Sequence, residues 1–438
     1  MPFNEHVYGA AVQLARPLLR IAAPFSRKIS AGLNGRRGAR ERLVEWARAH
    51  RDVERPLAWV HAPSVGESLM AQAIVTELRA LVPDVQIVFT HFSPSAQKMV
   101  EHVGADVYDY LPWDTPRDAR ALLDALRPSA IAFVRTEIWP ALVREASIRR
   151  IPTLLVNAVL SPRSSRLKPA GRWLLGDAYR RLTEVGAVAR DHADRFTRLG
   201  VSQQRLQITG DARFDQVVMR IGQLDREQPL LQRLRDDSVL TLVAGSTWPT
   251  DEDELLGPLA RARKGRPMRI IIVPHEPEGS HLRHLEQRLD AHHFTHARLS
   301  EVEHGSDKLP EVVVVDRVGV LADLYSIANV AYVGGGFHDA GLHSVVEPAA
   351  LGVPVIFGPR HGNAREADEL AGKGGGFVAS DGHAAASVIL DLAARPVHLR
   401  TSAAAARGFV EARLGGARRN AELIAGQIRP APGPGSLF

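Results

Sequence analysis

Three glycines, a histidine and a glutamate pose the first chemical question. In VGGGFHDAGLHSVVEPAALGVPVIFGP, residues 333–359, an apolar run stops at Gly334, Gly335 and Gly336. His343 and Glu347 follow four residues apart, and that spacing predicts one helix face carrying an imidazole and a carboxylate. Such a carboxylate can accept both hydroxyls of a ribose, while the glycines let a nucleotide approach the backbone. A tight turn accounts for a glycine run equally well. The His-x-x-x-Glu pair has no third ligand nearby that would make it a metal site.

Other chemical groups also sit just after apolar runs. HAPSVGE, 61–67, places Ser64, Gly66 and Glu67 at a strand end and the first turn of a helix. Glu67 there reads as a catalytic base favoured by the helix N-terminus, or as half of a Ser-x-x-Glu capping box. RTEIWP, 135–140, places Arg135 and Glu137 where burial is costly unless the charges are paired or used. AGSTWPTDEDELL, 244–256, offers Ser246 and Thr247 with the amides of a following helix, an arrangement that binds phosphate. It also reads as an ordinary N-cap with acids in the first turn. His275 and Glu276 end a further run in PHEPE, either exposed to a ligand or in a solvated turn.

These side chains need a scaffold, and the periodicity supplies one. Apolar runs at 57–62, 85–91, 130–136, 153–159, 185–189 and 206–210 alternate with segments long enough for crossover helices. Strands buried on both faces look like this, so the class is α/β with a parallel sheet. The pattern pauses over 220–237. It resumes with runs at 239–245, 269–274, 312–316, 329–335 and 353–358. The expectation is two doubly wound Rossmann-like domains, 51–219 and 238–428, joined by a linker at 220–237, with a disordered tail at 429–438. Ligands of such sheets bind beyond the carboxyl ends of the strands, and the cleft between two such domains is the natural site.

There is no cysteine, which removes disulfides, thiolate catalysis and cysteine-type zinc sites. Residues 1–55 carry eleven Arg or Lys against five acids, an excess of +6 that equals the net charge of the whole chain. Apolar residues at helical spacing (Val7, Tyr8, Ala11, Val12, Ala15, Leu18, Leu19, Ala22) accompany the basic ones, interrupted by Arg16 and Arg20. No stretch reaches the ~18 apolar residues that span a bilayer, and a cleaved signal peptide is not expected. Residues 1–50 therefore read as an interfacial segment on an anionic leaflet, with Arg27, Lys28, Arg36 and Arg37 near phosphate headgroups. A surface helix packed on the body is the plainer account. Nucleic acid is not expected as a partner, because no aromatics interleave the basic residues.

Taken together, WVHAPSVGE, RTEIWP, VNAVLSPRS, GSTWPTDE, VPHEPE and the glycine–glutamate stretch closely resemble the transferases of 3-deoxy-D-manno-octulosonic acid (Kdo). The resemblance is ordered and runs from GRRGARERL, 35–43, to about residue 390. It implies a GT-B glycosyltransferase whose first domain takes the acceptor and whose second takes CMP-Kdo. The reaction implied is inverting transfer of Kdo onto the lipid A precursor in lipopolysaccharide synthesis, at the cytoplasmic face of the inner membrane. By the same resemblance Glu67 is the general base and Glu347 the ribose carboxylate. Ser246, Thr247, His275, Glu276, Gly334, Gly335, Gly336, His343, Asn363 and Glu366 surround the donor. Ser64, Gly66, Arg135, Glu137, Arg163 and Arg166 lie on the acceptor side. No cofactor or metal is implied, since helix-terminus amides and basic side chains can stabilise the departing CMP. The chain departs from the commoner family pattern at PHEPE, Trp248 and Ser344. Two rival readings are a GT-B enzyme using a UDP-sugar and a non-catalytic protein that binds anionic lipid.

Overall fold

The computed structural model describes residues 3–236, 238–305 and 309–428; the tail expected at 429–438 lies outside them. The chain forms two compact units, Met1–Gln216 with Leu414–Phe438, and Val217–Arg413. Each is built on a seven-stranded sheet that is parallel throughout.

In the first unit the strands are β1 (Leu57–His61), β2 (Gln86–His91), β3 (Val107–Tyr110), β4 (Ala130–Val134), β5 (Thr153–Ala158), β6 (Glu184–Ala187) and β7 (Leu206–Ile208). Their order is β3-β2-β1-β4-β5-β6-β7. β1, β4 and β5 are buried along their whole length, which explains why they read as unbroken apolar runs. The order reverses between β1 and β4, so the crevice of this sheet opens at their carboxyl ends. Glu67 follows the one strand and Glu137 the other.

The second unit holds β8 (Leu240–Thr247), β9 (Met268–Pro274), β10 (His296–Arg298), β11 (Val312–Val314), β12 (Val330–Val333), β13 (Val355–Phe357) and β14 (Gly376–Val378), in the order β10-β11-β9-β8-β12-β13-β14. Its reversal lies between β8 and β12, which end at Thr247 and just before Gly334. β3, β10 and β14 carry no apolar run in the sequence. All three are short edge strands, partly open to solvent, so nothing requires one.

Two expected boundaries move. The expected linker at 220–237 contains the end of the helix Ala212–Gly222 and the helix Pro229–Leu234. The helix Gly416–Ile428, expected in the second domain, packs on the first unit against β5 and the helix that follows β1. Asp215 accepts the amides of Gly415 and Ala417, and Asn420 accepts the amide of Asn157 at 2.7 Å.

The head at 1–50 is not a separate segment either. It forms α1 (Phe3–Ala22), α2 (Arg27–Arg36) and α3 (Ala39–His50), and Leu43 and Ala47 of α3 lie in the first unit's core. Arg36, expected at a headgroup, is buried: it donates to the carbonyls of Gly32, Phe92 and Leu111 and lies 4.1 Å from the Phe92 ring centroid. α1 is pinned by Asn4, which donates to Asp177 at 2.7 Å, and by Glu5, which pairs with Arg144 and Arg181. Among the described residues no helix is long and apolar enough to cross a membrane.

The helices α4 (Val65–Leu81), α5 (Pro116–Leu126) and α6 (Pro140–Ile148) follow β1, β3 and β4. Asp114 is buried at the start of α6, accepting the amides of Ala141 and Leu142 at 2.9 Å each and the hydroxyl of Tyr8. Burial pushes its carboxyl up to about 6. A folded value above the unfolded one means that this proton stabilises the fold. The contribution is full below about pH 4 and is lost as the pH rises through about 6. Asp114→Asn is expected to gain on wild type over that window by ~3 kcal/mol. Unfolding of both proteins at pH 4.5, 6 and 8 checks this, and a difference that stays constant with pH counts against it.

Candidate functional site

The first unit gathers its chemistry at the β1/β4 reversal. β1 leads through Ala62 and Pro63 to Ser64 at the N-cap position of α4, so Glu67 lies in the helix's first turn. The Ser64 hydroxyl donates to the Glu67 carboxylate instead of capping a backbone amide, so the reciprocal capping box is not formed. Gly66 is exposed beside it, with open space where a side chain would start. Glu67 lines a pocket of about 480 Å³ with Arg135, Glu137, Arg163 and Arg166. The acceptor-side residues expected from the sequence therefore come together.

Arg135 has a left-handed backbone, φ 78°, a costly conformation for a side chain of its size. The turn is held by its amide on the Val156 carbonyl and by Thr136, whose hydroxyl donates to the Val159 carbonyl at 2.7 Å. One Arg135 guanidinium nitrogen is buried without a hydrogen bond, 3.7 Å from Asp211. Burial raises the Glu137 carboxyl above its ordinary range; Arg166, 3.9 Å away, opposes this, and the charge of Glu67 reinforces it. Two carboxylates that feel each other beside two or three guanidiniums suit proton removal from a substrate that also carries negative charge.

In the second unit the carboxyl ends of β8 and β12 meet with no space between backbones. A Cβ on Gly334 would lie 2.2 Å from the Ser246 carbonyl oxygen, and one on Gly336 would lie 2.4 Å from the Gly358 nitrogen. Close approach of protein backbone by itself accounts for glycine at both positions. Gly335 has φ 93° and Ser246 φ 53°, so both turns are left-handed. Thr247 is fully buried and donates its hydroxyl to Glu252 at 2.8 Å, which removes it from any ligand. The amides expected to hold phosphate are partly occupied too. The fully buried Asp251 carboxylate accepts from the amides of Trp248, Gly335 and Phe337 and from the Tyr332 hydroxyl.

His343 and Glu347 do not share a helix. The helix is the short Val346–Ala350, and His343 precedes it in an irregular segment. Its ring stacks toward His275, centroids 4.4 Å apart, and its Nε2 accepts the indole N–H of Trp248 at 3.1 Å. The ring is therefore neutral with its proton on Nδ1. Burial lowers its pKa, and His275 and His338 lower it further, against a smaller opposing effect of Asp251. Trp248 also lies flat on His338 at 4.1 Å, so four rings form one cluster.

Glu347 turns to other partners. Arg220 donates to it at 3.0 Å, and burial raises its carboxyl despite that cation. Asn363 exchanges hydrogen bonds with the backbone of Leu342, clamping the loop before His343. Glu366 lies in the first turn of the helix Arg365–Gly372, and Glu276 is exposed, its carbonyl accepting from His281. Sequence reading missed Arg220, Trp248, His338 and Asp251. Only Asp251 carried a local signal, as the acid three residues into a helix. Among the described residues no group of three His, Asp or Glu is placed to hold a metal ion.

A family model, 3-deoxy-D-manno-octulosonic-acid transferase (kdotransferase), matches residues 37–216. The 3-deoxy-D-manno-octulosonic acid transferase of Haemophilus influenzae is 29% identical over 312 residues, covering 68% of this chain and 70% of its own. That of Bordetella pertussis is 28% identical over 406 residues, covering 87% and 90%. Among solved structures, a glycosyltransferase from Rickettsia africae superposes with a TM-score of 0.57 at 12% identity, covering 86% of this chain and 100% of that one. That likeness speaks to the fold, a pair of Rossmann-like sheets of the GT-B kind. The sequence relatives and the family model go further: the chain is similar to the 3-deoxy-D-manno-octulosonic acid transferases over most of its length, which supports an enzyme of the glycosyltransferase kind.

Proposed function

We propose that this enzyme transfers Kdo from CMP-Kdo to the lipid A precursor in lipopolysaccharide synthesis, with Glu67 as general base. The observation that carries the proposal is the grouping of Glu67 with Glu137, Arg135 and Arg166 in one pocket at the first sheet's reversal. In the reaction an acceptor hydroxyl attacks the anomeric carbon of Kdo. The new carbon–oxygen bond forms as the bond to the CMP phosphate breaks, CMP leaves with the electron pair, and the hydroxyl proton passes to Glu67. A single displacement of this kind inverts the anomeric centre. Arg163 and Arg166 are suited to acceptor phosphates, as forked guanidiniums pair well with them.

The second unit is the donor side of this proposal. Glu347, held by Arg220, accepts the ribose hydroxyls of CMP, and His275 and His343 face the sugar and phosphate. Glu347→Gln is expected to weaken CMP binding roughly tenfold, the scale of one lost hydrogen bond to a charged group. Titration calorimetry with CMP reads this directly, and unchanged affinity would remove Glu347 from the site. The exposed apolar side chains of α1, among them Leu14, Leu18 and Ile21, support placement on a membrane leaflet.

The reading is tested by incubating the chain with CMP-Kdo and a tetraacylated lipid A precursor and weighing the products. A mass gain of one or more Kdo units supports it. No product, together with failure to bind CMP, rejects it in favour of a UDP-sugar.

A further inference from the structure

We propose that an arginine-lined groove along the N-terminal helices, separate from the Glu67 pocket, binds a phosphate on the headgroup of the glycolipid acceptor. The groove encloses about 1330 Å³ between α1, α2 and the start of α5. Trp113 forms part of its lining, with the Arg16 guanidinium 5.5 Å from the ring centroid and that of the buried Arg36 at 5.1 Å.

The charges in the groove are not balanced. Arg36 spends its donors on backbone carbonyls. Arg40 is matched by Glu41 and Asp118, and Arg120 by Glu145. Arg16, Arg20, Arg37 and Arg117 complete the lining with no carboxylate in ion-pair distance among the described residues. Four guanidiniums without carboxylate partners around one hollow make its lining attractive to an anion. Guanidinium forks pair bidentately with phosphate oxygens. A hollow of this size is far larger than one phosphate needs and suits a phosphorylated sugar.

Two observations assign the anion to the acceptor lipid. Gln13, Pro17 and Arg20 of α1 line the groove, and the next residue in each case, Leu14, Leu18 and Ile21, is exposed. One step along a helix is 100° of rotation, so an apolar stripe borders the charged hollow along its length. The second observation is position. Arg36 bonds the carbonyls of Phe92 and Leu111, just beyond the carboxyl ends of β2 and β3, while Glu67 and Glu137 follow β1 and β4. Both sites open on the same edge of one parallel sheet, β3 lying two strand spacings from β1, roughly 10 Å. A two-sugar headgroup covers that span, with its reacting hydroxyl at Glu67 and a phosphate among the arginines.

This inference rests on the glycolipid-acceptor reading above, and its test keeps the two apart. Transfer from CMP-Kdo is measured in detergent micelles with the bisphosphorylated acceptor and with its two monophosphoryl forms. The proteins are wild type and the full chain carrying Arg20→Ala, Arg37→Ala and Arg117→Ala. Wild type is expected to favour the bisphosphorylated acceptor over one monophosphoryl form by roughly tenfold or more in acceptor KM. The variant is expected to raise KM for the bisphosphorylated acceptor by that factor and to treat those two acceptors alike. Its kcat, its KM for CMP-Kdo and its melting temperature stay as in wild type.

A variant that keeps the wild-type preference overturns the groove. So does one that keeps the preference while losing affinity for vesicles containing phosphatidylglycerol, because the groove then serves bulk lipid. If the triple variant melts early, Arg37→Gln and Arg117→Gln singly must each narrow the preference, and failure of both overturns the proposal. A wild type that binds CMP but modifies none of the acceptors rejects the acceptor reading itself, and the groove assignment with it.

Discussion

Glu67→Gln is expected to slow Kdo transfer by roughly 10²–10⁴-fold, the contribution of a positioned general base. The side chain keeps its size and its partner Ser64, whose hydroxyl now meets an amide oxygen, so the fold of the pocket should survive. What is lost is the ability to take a proton from the acceptor hydroxyl. The loss should fall on kcat, with CMP affinity unchanged, because the donor-side residues of the proposal belong to the other unit. Glu137 supplies the control. It shares the pocket, and burial already raises its carboxyl, so its own replacement tests whether it can act as base. Single-turnover transfer by both variants decides between them. Near-wild-type turnover in Glu67→Gln with a collapse in Glu137→Gln would exchange the two roles.

Asp251→Ala should have the largest effect on stability. The carboxylate is fully buried and accepts from the Tyr332 hydroxyl and the Gly335 amide at 2.8 Å and from the Trp248 amide at 2.9 Å. Truncation strands these buried donors, at about 1–3 kcal/mol for each unsatisfied group. A loss of ~3–5 kcal/mol is expected, a large share of the 5–15 kcal/mol typical of a folded domain. Asp251→Asn keeps one acceptor oxygen and should lose less. Denaturant unfolding followed by Trp fluorescence checks both, since Trp248 reports from the affected turn. A loss below 1 kcal/mol for the alanine variant would contradict the hub role. The same bonds explain why the turns after β8 and β12 hold one shape: a single side chain ties both to the start of the helix Pro249–Gly265.

The sequence alone determined the class of fold and the edge on which chemistry sits. β1, β4, β5, β8, β9 and β12 were legible because a strand buried on both faces must be apolar along its length, and that is a local property. The residues that follow those strands were legible with them: Glu67, Glu137, Arg135 and Gly334 stand beyond strand ends as the runs predicted, whereas Ser246 lies inside β8, which runs on to Thr247. Tertiary structure decided which of them remain available to a ligand. Thr247 was a free hydroxyl in the sequence and is a buried donor to Glu252 in the fold. Arg36 was one of a basic series and is the only one of its neighbours turned into the protein, because backbone carbonyls beyond β2 and β3 wait for it. The return of 414–428 to the first unit depends on Asn157 and Asp215, some two hundred residues earlier in the chain. Glu347 finds Arg220 across 127 positions, and Trp248 finds His343 across 95. Apolar periodicity is written within a few residues of itself. The partner of a charge or a hydroxyl is set by which distant segment the packed sheets bring alongside, and no local spacing encodes that.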